Sequence, residues 1–330
     1  MQGHKDLLPV DSPNPTVPER PVLVTGAHRS GTTWTGKLLA SAPSLFYVHE
    51  PFSKRHPPGI CPVRFRRWFP HIGPHNESAY LPALQRTVRL KFSFLAHAAS
   101  ALGPHSTHFN NGLRGVAWAV KEKARWLTAR NEGLRPLVKD PLALLSAEWF
   151  AERFDAQVIV VVRHPAGFVN SVRRIGWDHD FSGFADQPDL LDSLLSPYAD
   201  EIRQASRGYG DKIYRAALLW KVLNGIVDYY RDSHPDWRVV KNEDLATTPH
   251  RLFGELFGYL QIPSEAVQRS TINNFTQASA PDPGRHTVRR NSQEEAWKWR
   301  DDMKSETVTR IRRITAPVWN AFYSPEDWSW

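Results

Sequence analysis

Apolar positions along the chain fall in short unbroken runs rather than in alternation. "PVLVTG" (21–26), "LFYV" (45–48), "PLVK" (136–139), "QVIVVV" (157–162) and "WRVV" (237–240) each read as a strand. Runs of this length without polar interruption suit parallel strands buried on both faces. Between most of them the period becomes helical. From Thr32 to Ala42, Trp34, Leu38 and Leu39 share a face and Pro43 follows the end; further helices are expected around 143–154, 165–175, 212–232 and 249–261. Ile213, Trp220, Leu223, Val227 and Tyr230 recur at helical spacing and belong in the core. Strands alternating with helices predict an α/β fold, a mostly parallel β-sheet flanked by α-helices on both faces.

No repeat or linker divides the chain of 330 residues. Residues 1–20 read as a proline-bearing, disordered lead-in, and 21–330 as a single domain with helical and loop insertions at about 51–135 and 176–211. Hydrophobic content of 41% and charged content of 23% are those of a soluble globular protein. The one cysteine, Cys61, excludes a disulfide framework and a multi-cysteine metal site and suits a reducing compartment. No apolar stretch reaches the roughly 18 residues of a transmembrane helix, and the N-terminus carries no signal-peptide pattern, so a cytoplasmic protein without an integral membrane span is expected. A formal charge of +8 favours anionic ligands. The 14 histidines show no metal-binding spacing, so no metal is expected.

Ligands of such sheets bind outside the carboxyl ends of the strands. Arg29, Glu50, Asp140 and Arg163 each follow a predicted strand there. The first strand leads into "GAHRSGTTW", where Gly26 and Gly31 have the spacing of a phosphate-binding loop and Thr33 takes its hydroxyl position. Thr32 stands where that pattern has lysine. Arg29 and the hydroxyls of Ser30, Thr32 and Thr33 instead supply donors for phosphate oxygens at a helix start. A kinase of this fold needs that lysine, and usually an acid after a second apolar strand to organise magnesium. Here the strongest strand, "VIVVV", ends in "RHP", and Asp140 is the remaining candidate acid.

"HRSGTTW" together with "VVRHPAGFVNS" (161–171) resembles the two cofactor motifs of sulfotransferases that use 3′-phosphoadenosine 5′-phosphosulfate (PAPS). "VKNEDLATTPHRLFGELFGYL" (240–260) is similar to a third segment of that family, and the resemblance covers roughly 21–55, 136–175 and 237–300. It implies a P-loop-like sheet and metal-independent sulfuryl transfer from PAPS, leaving adenosine 3′,5′-bisphosphate, by in-line displacement. By matching position, Arg29, Ser30, Gly31, Thr32 and Thr33 would hold the 5′-phosphosulfate, and Arg163 and Ser171 the 3′-phosphate. Trp34 would stack on the adenine, or serve as a core residue under its helix. Arg289 and Arg290, with Arg285, lie in a basic stretch similar to the loop that closes over the 3′-phosphate in relatives.

The acceptor must lose a proton, which calls for a base. Cytosolic small-molecule sulfotransferases carry a histidine where this chain reads "VKDPLA" (138–143); "YVHEPF" (47–52) is instead similar to the glutamate-proline segment of carbohydrate-type and bacterial sulfotransferases. Glu50 is therefore assigned as general base with His49 as the alternative, Arg29 stabilising the leaving group. Glu50 also has a purely structural reading, an ion pair with Arg29 or Lys139. Lys139 is a further candidate for the cofactor or the sulfuryl oxygens.

"PFSKRHPPGICPVRFRRWFPHIGPHN" (51–76) holds five lysines and arginines and no acid, interleaved with Phe65, Trp68 and Phe69. It follows the candidate base and suits a glycan or other polar, anionic acceptor bearing a hydroxyl or amine. A basic lid, a membrane-surface patch or a rigid proline-rich loop would read the same way, and no nucleic-acid fold signature accompanies it. A natural-product sulfotransferase, a P-loop kinase and a non-catalytic nucleotide binder are the other readings.

Overall fold

The computed structural model describes residues 20–102, 112–263, 267, 269–276 and 292–329; Arg285, Arg289 and Arg290 lie outside them. Five strands, β1 (Val22–Thr25), β2 (Leu45–His49), β3 (Arg135–Lys139), β4 (Gln157–Val162) and β5 (Arg238–Lys241), form one parallel sheet in the order β2-β3-β1-β4-β5. All five coincide with the apolar runs of the sequence. β1 is central, with Leu23 opposite Val138 of β3 and Val158 of β4.

Alternation along these strands feeds two cores. Leu23, Val138, Val158, Val160 and Val162 face one side, where Phe168 and Val169 (helix Pro165–Arg174) and Trp220, Leu223, Val227 and Tyr230 (helix Lys212–Ser233) are buried. Val22, Val24, Leu137, Ile159 and Val161 face the other, against Leu38 and Leu39 (helix Thr32–Leu39) and Phe253, Leu256 and Phe257 (helix Pro249–Tyr259). The predicted helix at 143–154 is split, a 3₁₀ turn over Pro141–Ser146 preceding the α-helix Ala147–Phe154. Asp140 opens that turn by accepting the amide of Leu142 at 2.9 Å.

In the segment 51–76 the basic and the aromatic positions separate. Its cations Lys54, Arg55, Arg64, Arg66 and Arg67 are exposed, but Phe65 and Phe69 are buried. Phe65 stacks between Phe52 (5.0 Å) and Tyr80 (5.1 Å). These two rings anchor the loop to the core, and of the three aromatics only Trp68 keeps part of its surface.

All five strands run in one direction, so β1 to β4 deliver their carboxyl ends to one edge of the sheet. Gly26 makes the first exit possible: its φ is 136°, and a Cβ there would lie 2.2 Å from the carbonyl oxygen of Val161. Gly26→Ala is expected to lower stability by roughly 3 kcal/mol or more, checked by denaturant unfolding.

Candidate active site

The loop after β1 turns through Arg29 (φ 66°) and Gly31 (φ 94°), both left-handed, into the helix at Thr32. Gly31 is the N-cap and offers no side-chain oxygen, and the first helical turn holds no acid. The opening amides of the helix therefore lack an intrahelical acceptor and point where a bound anion belongs. The Ser30 hydroxyl is buried with no hydrogen-bond partner among the described residues. Thr32 is buried and Thr33 half-buried. A Cβ on Gly31 would lie 2.2 Å from Oδ1 of Asn242, so the exit of β5 closes one side of the loop.

Three expected cofactor residues converge. Arg29 Nε donates to Ser171 Oγ at 3.0 Å, and Arg163 Nη1 donates to the Arg29 carbonyl at 3.1 Å. Arg163 Nη2 donates to the Glu295 carbonyl at 2.9 Å, and the Arg163 carbonyl accepts from Trp220 Nε1 at 2.7 Å. Burial pulls the Arg163 pKa below the usual arginine value, opposed by the negative charges of Glu243 and Glu295. Glu243 is itself buried, accepting the His164 amide at 3.0 Å and the Tyr323 hydroxyl at 2.9 Å. His164 stacks on Trp299 at 4.7 Å, and burial drives its pKa down to about 3, so the ring is neutral. Trp34 donates to the Phe275 carbonyl at 3.0 Å and meets Phe253 edge-on at 5.4 Å.

The acid–base side lies at the ends of β2 and β3. Glu50 takes a left-handed conformation (φ 43°), fixed by its amide donating to the Lys139 carbonyl at 2.9 Å. Its carboxylate forms an ion pair with Lys139, a lysine that is fully buried. Burial lowers the Lys139 pKa and the Glu50 charge opposes that shift. A Cβ on Gly36 would lie 2.9 Å from Lys139 Cγ, so this glycine leaves the channel along which the lysine stem passes under the first helix. His49 is half-exposed, with Nε2 at 4.0 Å from Glu50 Oε2 and Nδ1 at 3.3 Å from the Tyr47 hydroxyl.

Asp140 does structural work. Its two oxygens accept the amides of Phe52 (2.5 Å) and Leu142 (2.9 Å), tying the loop after β2 to β3. Burial, then the Glu50 charge, raises its pKa from 3.8 to about 7 against those amide bonds. A carboxyl raised on folding contributes stability below about pH 4 that is lost as pH rises through 7. Asp140→Asn is expected to remove that part of the stability-versus-pH slope, read from melting temperatures between pH 4 and 8.

Sequence reasoning missed Asn242 and Glu243 as parts of the site. Their signal was the "KNED" that ends β5, a polar string at the binding edge of the sheet.

Residues 21–214 match the profile described as "Sulfotransferase family". The match covers more than half of the chain, which therefore belongs to the sulfotransferase family. No curated protein matches the chain. Among solved structures, it is similar to a sulfotransferase domain from the curacin biosynthetic pathway, with 16% identity, a TM-score of 0.44, and coverage of 88% of this chain and 95% of that one. The sulfotransferase domain of the Synechococcus PCC 7002 olefin synthase gives 17% identity and 0.44, covering 97% and 100%. A sulfotransferase from Alicyclobacillus acidocaldarius gives 13% and 0.43, covering 94% and 98%.

Proposed function

We propose that the protein transfers a sulfuryl group from PAPS to a hydroxyl or amine acceptor. The observation that carries this reading is the convergence of Arg29, from the loop after β1, with Arg163 and Ser171, from the segment after β4, beside an uncapped helix N-terminus. The fit to a doubly phosphorylated ligand is good. The helix amides, the buried Ser30 hydroxyl, without a partner among the described residues, Thr32 and Thr33 suit the 5′-phosphosulfate, and Arg163 with Ser171 suits the 3′-phosphate.

When bound, PAPS supplies a sulfuryl group on a phosphate leaving group. Arg29 would hold positive charge against the leaving phosphate, and Glu50, held in place by its ion pair with Lys139, would take the acceptor proton. Thr32 where a kinase has lysine, and an Asp140 whose oxygens are occupied by backbone amides, both count against magnesium-organised phosphoryl transfer. The acceptor is left at a hydroxyl or amine, since two of the three loop aromatics that suited a glycan, Phe65 and Phe69, are buried.

The test is ³⁵S-labelled PAPS offered with a panel of sugars, phenols, alcohols and amines in the presence of a chelator. Label in an acceptor supports the reading; ATP-dependent phosphorylation in its place overturns it.

A further inference from the structure

Five large apolar side chains stand exposed on two neighbouring helices of the β2–β3 insertion. They are Leu95 and Leu102 on the helix Phe94–Leu102, and Leu113, Val120 and Leu127 on the helix Gly112–Asn131, with exposures from 44% (Leu127) to 84% (Leu113). Together with exposed Ala117 and Ala124, the longer helix presents Leu113, Ala117, Val120, Ala124 and Leu127 at alternating steps of four and three. At about 100° per residue these five lie within about 40° of one line. The face that packs on the protein is a different one, carrying Gly115, Ala119, Trp126 and Ala129. The exposed stripe is thus a second apolar seam on a helix whose first seam is already used.

Its step pattern is that of a coiled-coil seam, and its large-small alternation suits side chains interlocking with those of an approaching helix. The flanking positions settle the charge of that helix. Arg114 and Lys121 border the stripe on one side, Lys123 and Arg130 on the other, all exposed. Glu122, the one acid on this helix, lies opposite the stripe and pairs with Arg125 at 2.8 Å. Such flanking positions choose the partner of a coiled coil. A second copy of this chain would bring cation against cation in either orientation. The alanines at every other step suit close helix approach better than insertion among lipid tails, where bulky residues dominate.

We propose that this face docks an acidic amphipathic helix of a partner protein, at least about 15 residues long to match the roughly 21 Å from Leu113 to Leu127. The flanking cations meet its carboxylates while its leucines fill the seam. The docking face shares no residue with the proposed sulfuryl-transfer site.

The test uses the full chain and two fluorescent three-heptad peptides, both with leucine along the seam, one with glutamate and one with lysine at the flanking positions. Anisotropy is expected to show the glutamate peptide binding at least about tenfold more tightly than the lysine peptide, with affinity falling as salt rises. Val120→Glu and Leu127→Glu should each lose about tenfold or more while binding of adenosine 3′,5′-bisphosphate stays unchanged. Equal binding of the two peptides, no binding, or glutamate-peptide binding that survives Val120→Glu overturns the proposal. So does binding to phosphatidylglycerol vesicles without binding to the peptide, which marks a lipid surface. Dimerisation through the same residues in sedimentation also overturns it.

Discussion

Replacing Glu50 by glutamine should slow sulfuryl transfer by about 10²–10⁴-fold while changing the affinity for adenosine 3′,5′-bisphosphate less than about twofold. Glutamine keeps the shape of the side chain and an oxygen that can accept from Lys139, but it cannot take a proton. Glu50 stands at the carboxyl end of β2, held by its own amide bond to the Lys139 carbonyl and by the ion pair of its carboxylate. The proposed phosphate loop after β1 is a different segment, which is why turnover and cofactor binding should part company. The measurement is initial-rate turnover of PAPS with an acceptor the wild type uses, beside calorimetry with the bisphosphate. An unchanged rate would move the proton to another group, and His49→Gln, 4.0 Å away, is then the comparison to make.

The second large effect is on stability. Lys139 carries its ammonium into a fully buried position and meets the Glu50 carboxylate there. Removing one member of a buried pair leaves the other uncompensated and typically costs about 3–5 kcal/mol. Glu50→Ala is expected to fall in that range. Lys139→Met in the same chain should restore much of the loss, because methionine is unbranched and follows the same path beneath Gly36 without a charge. Denaturant unfolding of the wild type, both single variants and the double variant gives the coupling, expected at about 1–3 kcal/mol. Strict additivity would mean that the two groups do not compensate one another.

The strands were legible because buried parallel strands read as unbroken apolar runs, and each delivered its polar exit residue to the same edge. Arg29, Glu50 and Arg163 could be picked out for that reason before any contact was known. Their partners could not. The order β2-β3-β1-β4-β5 is not the chain order, so nothing local sets β3 between β1 and β2, where Lys139 can reach Glu50. The bonds of Arg163 to Arg29 and Glu295 and of Glu243 to Tyr323 join segments about 80 or more residues apart. Phe65 and Phe69 misled for a related reason: an aromatic between arginines reads as a surface motif until the chain's reversal turns the rings inward. The left-handed backbone of Glu50 had no glycine to announce it; it accompanies a long-range bond from its amide to the Lys139 carbonyl.

The central claim is that the loop after β1 and the arginine after β4 together hold a nucleotide phosphorylated at both ends of its ribose. Calorimetric titration of the wild type and Arg163→Ala with adenosine 3′,5′-bisphosphate and with adenosine 5′-phosphate tests it directly. The wild type should prefer the bisphosphate by at least about tenfold, and Arg163→Ala should erase that preference while leaving adenosine 5′-phosphate binding nearly unchanged. Equal affinity of the wild type for the two nucleotides, or a preference for ATP that appears only with magnesium, would contradict it.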